Sequence, residues 1–434
     1  MAEDTSAANS GTATETSGTP TPTNGTAAET GAESAGVDFR AEARGLAEDL
    51  IALRRELHRD PELGNELPRT QARVLAALEG LPLEITTGTA LTSVTAVLRG
   101  AHPGPTVLLR GDMDGLPVTE ATGLDYASTT GTMHACGHDL HTAGLVGAAR
   151  LLCAHQDQLH GDVVFMFQPG EENPGGARPM IEEGVLDAAG RRVDAAFGLH
   201  VMPGPAGSFA TRPGPMLAGS NRLYVTFRGR GGHGSQPHNA VDPVPALLEY
   251  CQALQVMVTR RFTVFDPVVV SVTQLSAGEA VNVIPETASM GATVRTLSAQ
   301  TTQSFPGHAR TLAEGIAAAH GCTVEFTWDP LYPPTLNDHA HTAFAAATLQ
   351  DTFGTERVTE LPDPYMGSED FSFVLEQVPG SFYVLYATPE GTDLESAPVN
   401  HSPLVEFDDA VLADQAASLA ALAFAYHAHA GTRP

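Results

Sequence analysis

The chain predicts an α/β layer architecture interrupted by a small ferredoxin-like unit, and three observations lead there. Short apolar runs of strand character alternate with stretches of helical periodicity, the pattern of a sheet flanked by helices. A Gly/Pro-rich stretch, Met202–Ser220, then breaks the composition, and the elements after it follow the order β-α-β-β-α-β, the signature of a ferredoxin-like unit. A second Pro-rich stretch, Asp329–Asp338, closes that unit, and α/β character resumes to the end. The chain leaves a main domain, builds a small one and returns.

The elements can be justified in order. Residues 1–36 are Thr, Ser, Ala, Gly, Glu and Pro with almost no large apolar side chain, so burial cannot offset ordering entropy and a disordered tail is expected. From about Phe39 a helical segment carries Leu46, Leu50, Leu53 and Leu57 on one face and ends at Pro61 and Gly64. Strands are expected at Ser93–Leu98 and Thr106–Leu109, a helix at His141–Ala154, and buried strands at Asp162–Phe167 and Ala195–Leu199. In the small unit the expected strands are Arg222–Arg228, Val268–Leu275, Thr287–Leu297 and Thr323–Trp328, with helices at Pro243–Thr259 and Thr302–His320. An Ala-rich helix from about Asp409 closes the chain. The expected divisions fall at 1–36, 37–217, 218–330 and 331–434.

Composition narrows the chemistry. The 434 residues include 51 acidic and 23 basic side chains, a net charge of −28, which argues against nucleic acid or an anionic membrane as partner. All the basic residues are arginines, so Schiff-base and phosphate-loop lysine chemistry is excluded. Four scattered cysteines, no basic-apolar leader and no apolar run of about 18 residues predict a reduced, cytoplasmic protein.

The densest chemistry lies in MHACGHDLHTA, Met133–Ala143, which holds Cys136, His134, His138, His141 and Asp139. Thiolate, imidazole and carboxylate bind borderline divalent metals. Other ionisable groups end apolar strands: Asp112 and Asp114 in GDMDGLP, Glu171 and Glu172 in QPGEENPGGA, and His200 in GLH. His401 in VNHSPLVEF is a more distant candidate. Strand ends on one edge of an α/β sheet converge on a crevice, and so many ligand-type groups exceed the needs of one tetrahedral ion. Two ions sharing a bridge would use them, with one of the paired glutamates free to move a proton. Taken singly, the aspartates read as turn formers or caps and His200 as a satisfied histidine. His134, His141 and Asp139 read as supports for ligands, and Cys136 as a ligand or a nucleophile. His102, His155, His160, His427 and His429 read as surface residues. In the small unit, GRGGHGSQPH brings His233 forward on flexible glycines, and Asn282 and Arg295 lie in the same unit. An arginine fork suits a carboxylate, whereas the plainer reading of Arg295 is a surface strand residue.

Together MHACGHDLHTA, GEENPGGA, GLH, GRGGHGSQPH, NVIPE, GSEDF and NHSP occur in the order of one family. From about Leu46 to Tyr426 the chain resembles the dinuclear metallo-aminoacylases and glutamate-type carboxypeptidases, in their hippurate hydrolase and indole-acetyl-amino-acid hydrolase branch. The resemblance implies a catalytic α/β domain, its mixed sheet flanked by helices, interrupted by a ferredoxin-like lid that forms a homodimer. It implies that Cys136, His138, Glu172, His200 and His401 hold two divalent ions (Zn, Mn, Co or Ni), with Cys136 as the bridge. Glu171 would be the general base, and Asp114 would orient a ligand or tune the site. Asp112 is a weaker ligand candidate. His233 would stabilise the oxyanion from a partner subunit, and Asn282 and Arg295 would bind the substrate carboxylate. Glu369 of GSEDF lies near the site without an assigned role. The implied reaction is hydrolysis of an N-acyl amino acid. The alternatives are a dipeptidase or carboxypeptidase with the same site, a cysteine hydrolase, or a non-catalytic metal-binding scaffold.

Overall fold

The computed structural model describes residues 37–430, so the expected disordered tail, 1–36, lies outside the described residues. In chain order the helices are α1 (Phe39–Arg44), α2 (Ala47–Arg59), α3 (Pro68–Ala77), α4 (His138–Ala154), α5 (Ala177–Glu182), α6 (Pro243–Arg261), α7 (Ala299–Ala319), α8 (His339–Phe353), α9 (Ser372–Leu375) and α10 (Val411–Ala430). The strands are β1 (Leu83–Thr87), β2 (Val94–Leu98), β3 (His102–Asp112), β4 (His160–Gln168), β5 (Ala195–Pro205), β6 (Phe209–Thr211), β7 (Gly214–Leu217), β8 (Gly219–Arg228), β9 (Gly232–His233), β10 (Val269–Ala277), β11 (Val283–Ile284), β12 (Thr287–Thr296), β13 (Thr323–Tyr332), β14 (Thr335–Asn337), β15 (Val358–Glu360) and β16 (Gly380–Thr388).

Eight strands form a mixed sheet in the order β1-β2-β4-β3-β5-β16-β6-β15. Its centre, β4-β3-β5-β16, is parallel and reads as continuous apolar sequence because both faces are covered. One face packs on α4 and α10, with α2 outside α4. These helices approach closely because their contacts are small. A Cβ on Gly147 of α4 would sit 2.6 Å from the Ala416 Cβ of α10, and the Ala-rich sequence of α10 serves the same purpose. The other face carries α5 and α9 over Leu108, Met166, Met180 and Phe371.

The ferredoxin-like expectation is met. Strands β8, β10, β12 and β13 form an antiparallel sheet in the order β10-β12-β8-β13, with α6 and α7 burying Phe227, Tyr250, Leu254 and Phe305 beneath them. Strand β10 is an edge, and its Val269 and Leu275 are exposed.

Three local readings change. The first helical segment is two helices, broken at Gly45 and Leu46. Helix α4 begins at His138 rather than His141, because Gly137 turns the chain at φ 85° and its carbonyl accepts from Leu140 and His141 N–H. His427, expected on the surface, is buried. Among the described residues no helix is long and apolar enough to cross a membrane.

Candidate metal centre

Four segments bring ligand-type side chains to the carboxyl edge of the parallel strands. Strand β3 ends at Asp112, level with Gln168 at the end of β4. The loop after β3 supplies Asp114, the turn before α4 supplies Cys136, and the first residue of α4 is His138. The loop from Gln168 to α5 supplies Glu171 and Glu172, and β5 supplies His200. The fourth segment follows β16 and supplies His401. Its backbone N–H donates to Ala135 O at 2.8 Å, and Asn400 Nδ2 donates to Val201 O at 3.3 Å, so it is tied to both neighbouring segments. His401 is the one described non-glycine residue with positive φ, 71°, a conformation that needs support from its surroundings.

The ligand atoms converge in two groups that share one sulfur. Cys136 Sγ lies 3.3 Å from His200 Nε2 and 3.3 Å from His401 Nε2. His401 Nε2 lies 3.0 Å from Glu172 Oε1. The candidate atoms of Cys136, His138 and His200 all lie within 4.8 Å of one another, as do those of Cys136, Glu172 and His401. His138 Nδ1 is 3.3 Å from Asp114 Oδ1 and Nε2 is 3.4 Å from Asp112 Oδ2. Both of its ring nitrogens are buried with no hydrogen-bond partner. A buried imidazole beside a thiol, other imidazoles and carboxylates, without hydrogen bonds of its own, fits a divalent ion.

Hydrogen bonds sort the remaining groups. His200 Nδ1 donates to Val201 O at 2.6 Å, which fixes the tautomer and leaves Nε2 free toward Cys136. His141 Nδ1 donates to Asp112 Oδ1 at 2.5 Å while Nε2 accepts from Val201 N at 2.8 Å, so its ring is spent on support. Asp139 pairs with Arg54 and His58, each at 2.7 Å, away from the ligand atoms. Asp112 also meets Arg110 Nη1 at 2.6 Å. Asp114 accepts from the backbone N–H groups of Glu171 and Glu172, both at 3.0 Å, and so fixes the paired glutamates.

The electrostatics follow from burial. Burial, reinforced by the charges of Glu369 and Glu172, pushes the Glu171 carboxyl well above its ordinary range. Burial beside Glu172 and Glu171 likewise pushes the Cys136 thiol up. Burial opposes charge on His138, but Asp112 and Asp114 outweigh it and raise the ring to about 10. Glu171, Cys136 and His138 therefore hold their protons more tightly than usual, whereas Glu172 and His200 are shifted down, and binding a divalent ion here would displace protons.

The cluster opens on a cavity of about 480 Å³ that Glu171, Glu172, Arg295, Tyr332, Tyr365 and Glu369 also line. Arg295 reaches it from β12. Its Nη1 donates to Ser368 Oγ at 3.2 Å, and among the described residues no carboxylate forms a salt bridge with it. His233 and Asn282 do not line this cavity. They lie together on the exposed end of the smaller unit, where β9 pairs with β11 and Gly234 N donates to Asn282 O at 2.8 Å. Sequence reasoning missed Arg110, Asp370, Asn400 and Tyr332. Asp370 and Asn400 adjoin residues already singled out, but no local pattern marks Arg110 or Tyr332.

A sheet edge that gathers thiol, imidazole and carboxylate ligands around a buried free carboxylate, under a ferredoxin-like lid, defines a metal-dependent hydrolase. Residues 108–425 match the model of Peptidase family M20/M25/M40, and the chain belongs to that family. It is 40% identical to an N-acetylcysteine deacetylase of Bacillus subtilis over 77% of this chain and 87% of that protein. It is 37% identical to IAA-amino acid hydrolase ILR1-like 4 of Arabidopsis thaliana over 87% of this chain and 85% of that protein. Thermostable carboxypeptidase 1 of Saccharolobus solfataricus is also 37% identical, over 79% and 87%. Among solved structures, a dinuclear metal-binding M20 peptidase of Bacillus subtilis is similar with a TM-score of 0.76 at 35% identity, covering 88% of this chain and 98% of that one.

Proposed function

We propose that the protein hydrolyses the amide bond of N-acyl amino acids, releasing a carboxylate and a free amino acid. The observation that carries this reading is one cavity onto which ligand candidates, Glu171 and the unpaired cation of Arg295 all open. Names of relatives that act on N-acetylcysteine and IAA-amino acids support the substrate class.

Two divalent ions would be held by Cys136, His138, Glu172, His200 and His401, with Cys136 common to both. The ions, when bound, supply Lewis acidity that polarises the scissile carbonyl and eases ionisation of water. Glu171 takes a proton from the water as its oxygen bonds to the amide carbon. It then delivers that proton to the amide nitrogen as the C–N bond breaks. A buried carboxyl with a raised proton affinity suits both transfers. Asp114 keeps Glu171 and Glu172 in place through their backbone N–H groups. Arg295 would take the substrate carboxylate, with Asn282 and His233 delivered by a partner subunit of a homodimer. The lid would span 218–330 and the catalytic domain 37–217 and 331–434.

Substitution Glu171→Gln tests the base. Metal content should stay at the wild-type value while kcat falls by about 10³-fold or more; near-normal turnover would remove Glu171 from the role. The carboxypeptidase relative favours peptides as a second substrate class. A panel of N-acetyl, N-benzoyl and N-indoleacetyl amino acids beside dipeptides separates the two by kcat/KM.

A further inference from the structure

We infer that Asp370 is a positioning residue that ties shut the base of the loop bearing Glu171 and Glu172. The loop leaves β4 at Gln168 and enters α5 at Ala177. It turns through glycines at positive φ, Gly170 at 71° and Gly175 at 95°. Glycine-rich backbone of this kind has many conformations to lose, so its geometry depends on external ties.

Asp370 supplies ties at both ends of the loop. Its Oδ1 and Oδ2 accept from Gln168 Nε2 at 2.7 and 2.9 Å. Oδ2 also accepts from the backbone N–H groups of Gly176 and Ala177, both at 2.9 Å. Arg110 Nη2 reaches Oδ1 at 3.2 Å and links the carboxylate back to β3. One fully buried side chain therefore joins the residue before the loop to the residues after it.

The local sequence explains why this carboxylate comes from far away. Gly176 is the N-cap of α5 and has no side chain with which to satisfy the first N–H groups. No side chain could be added, since a Cβ there would lie 1.7 Å from Pro169 O. Asp370 supplies an acceptor for the N–H groups of the N-cap and of the first helical residue, Gly176 and Ala177. All four converging groups are donors, and both Asp370 oxygens serve them as acceptors. An asparagine would turn an NH₂ group toward at least one of them.

Asp370 does not carry out chemistry itself. It acts through the loop, so its catalytic consequence rests on the reading of Glu171 as the base, while the tie itself does not. The test is Asp370→Asn in the full-length, metal-loaded protein. Amide exchange over residues 169–177 should quicken by about ten-fold or more while β4 keeps its protection. With metal content unchanged, kcat should fall by about 100-fold and KM should stay within about three-fold. Wild-type exchange in the loop would overturn the inference, as would a KM rise at constant kcat. Should Asp370→Asn fail to fold, Gln168→Leu removes one arm of the tie. It should shift loop exchange and kcat in the same directions by a smaller factor, and an unchanged loop would overturn the inference. Loop exchange decides the tie, whereas Glu171→Gln separately decides the base.

Discussion

His141 and His200 lie side by side, ring centroids 4.7 Å apart, yet only one has a nitrogen to offer. Both nitrogens of His141 are engaged, by Asp112 and by Val201 N, whereas His200 spends Nδ1 on Val201 O and turns Nε2 to Cys136. The same accounting separates the proposed ligands from each other. Cys136 belongs to both ligand groups, but His401 belongs to one and is half exposed. Loss of the two side chains should therefore differ in stoichiometry. After dialysis against metal-free buffer, Cys136→Ala should retain well under one ion per chain. His401→Ala should keep about one of about two. Elemental analysis reads both, and a Cys136→Ala protein that keeps the full wild-type complement would end the case for a bridging thiolate.

Helices α2 and α4 are joined by charge as well as by apolar packing. Arg54 of α2 is almost fully buried and donates to Asp139 at 2.7 Å, to Tyr126 Oη at 2.7 Å and to Asp409 at 2.9 Å. Asp139 sits in the first turn of α4, where negative charge is favourable, next in sequence to His138. Arg54→Met would leave that carboxylate without its main cation and should destabilise the protein by about 3–5 kcal/mol at pH 7, read by urea unfolding. The pH dependence has a definite sign. Burial alone would raise the Asp139 carboxyl, but the charges of Arg54 and His58 outweigh it and hold it well below the usual range. Its stabilisation is thus present above the unfolded-state pKa of about 3.9 and is lost as pH falls through the folded value. The gap between Arg54→Met and wild type should narrow as the solution is acidified; a gap that widens would contradict the pairing. This interaction also shows where sequence reading stops. Periodicity revealed the helix bearing Arg54, and ligand density revealed the segment bearing Asp139. Their meeting spans 85 positions and leaves no local signature. Asp370 is hidden for the same reason, because its partners Gln168 and Gly176 lie about 200 positions away. Cys136 and His138 are legible from the ligand density of Met133–Ala143, and Glu172 and His200 from the apolar runs before them, although β5 continues past His200 to Pro205; His401 carries no such local mark, and the set of five comes from the family resemblance. The start of α4 was misread because Gly137 turns the chain by a backbone angle that apolar periodicity does not register.

The arrangement of the two units leaves one feature that a single chain does not use. Arg295 points into the cavity of its own chain, but His233 and Asn282 sit exposed on the lid and do not line it. The same unit presents the unpaired edge β10, with Val269 and Leu275 exposed, and Val281 and Val283 stand exposed beside Asn282. An open strand edge with apolar side chains favours pairing with another copy. A two-fold dimer through it would be self-complementary and would carry each lid toward the other subunit. If His233 acts across that interface, two inactive variants should rescue each other. Glu171→Gln lacks the base but keeps His233; His233→Ala lacks the oxyanion donor but keeps the base. When equal amounts are unfolded and refolded together, about half the dimers are mixed and one site in each is intact, so about a quarter of wild-type activity should return. Each variant refolded alone should stay inactive, and size-exclusion chromatography should show a dimer throughout. A mixture no more active than its components would place His233 outside the partner's site. A monomeric wild-type protein would remove the interface itself.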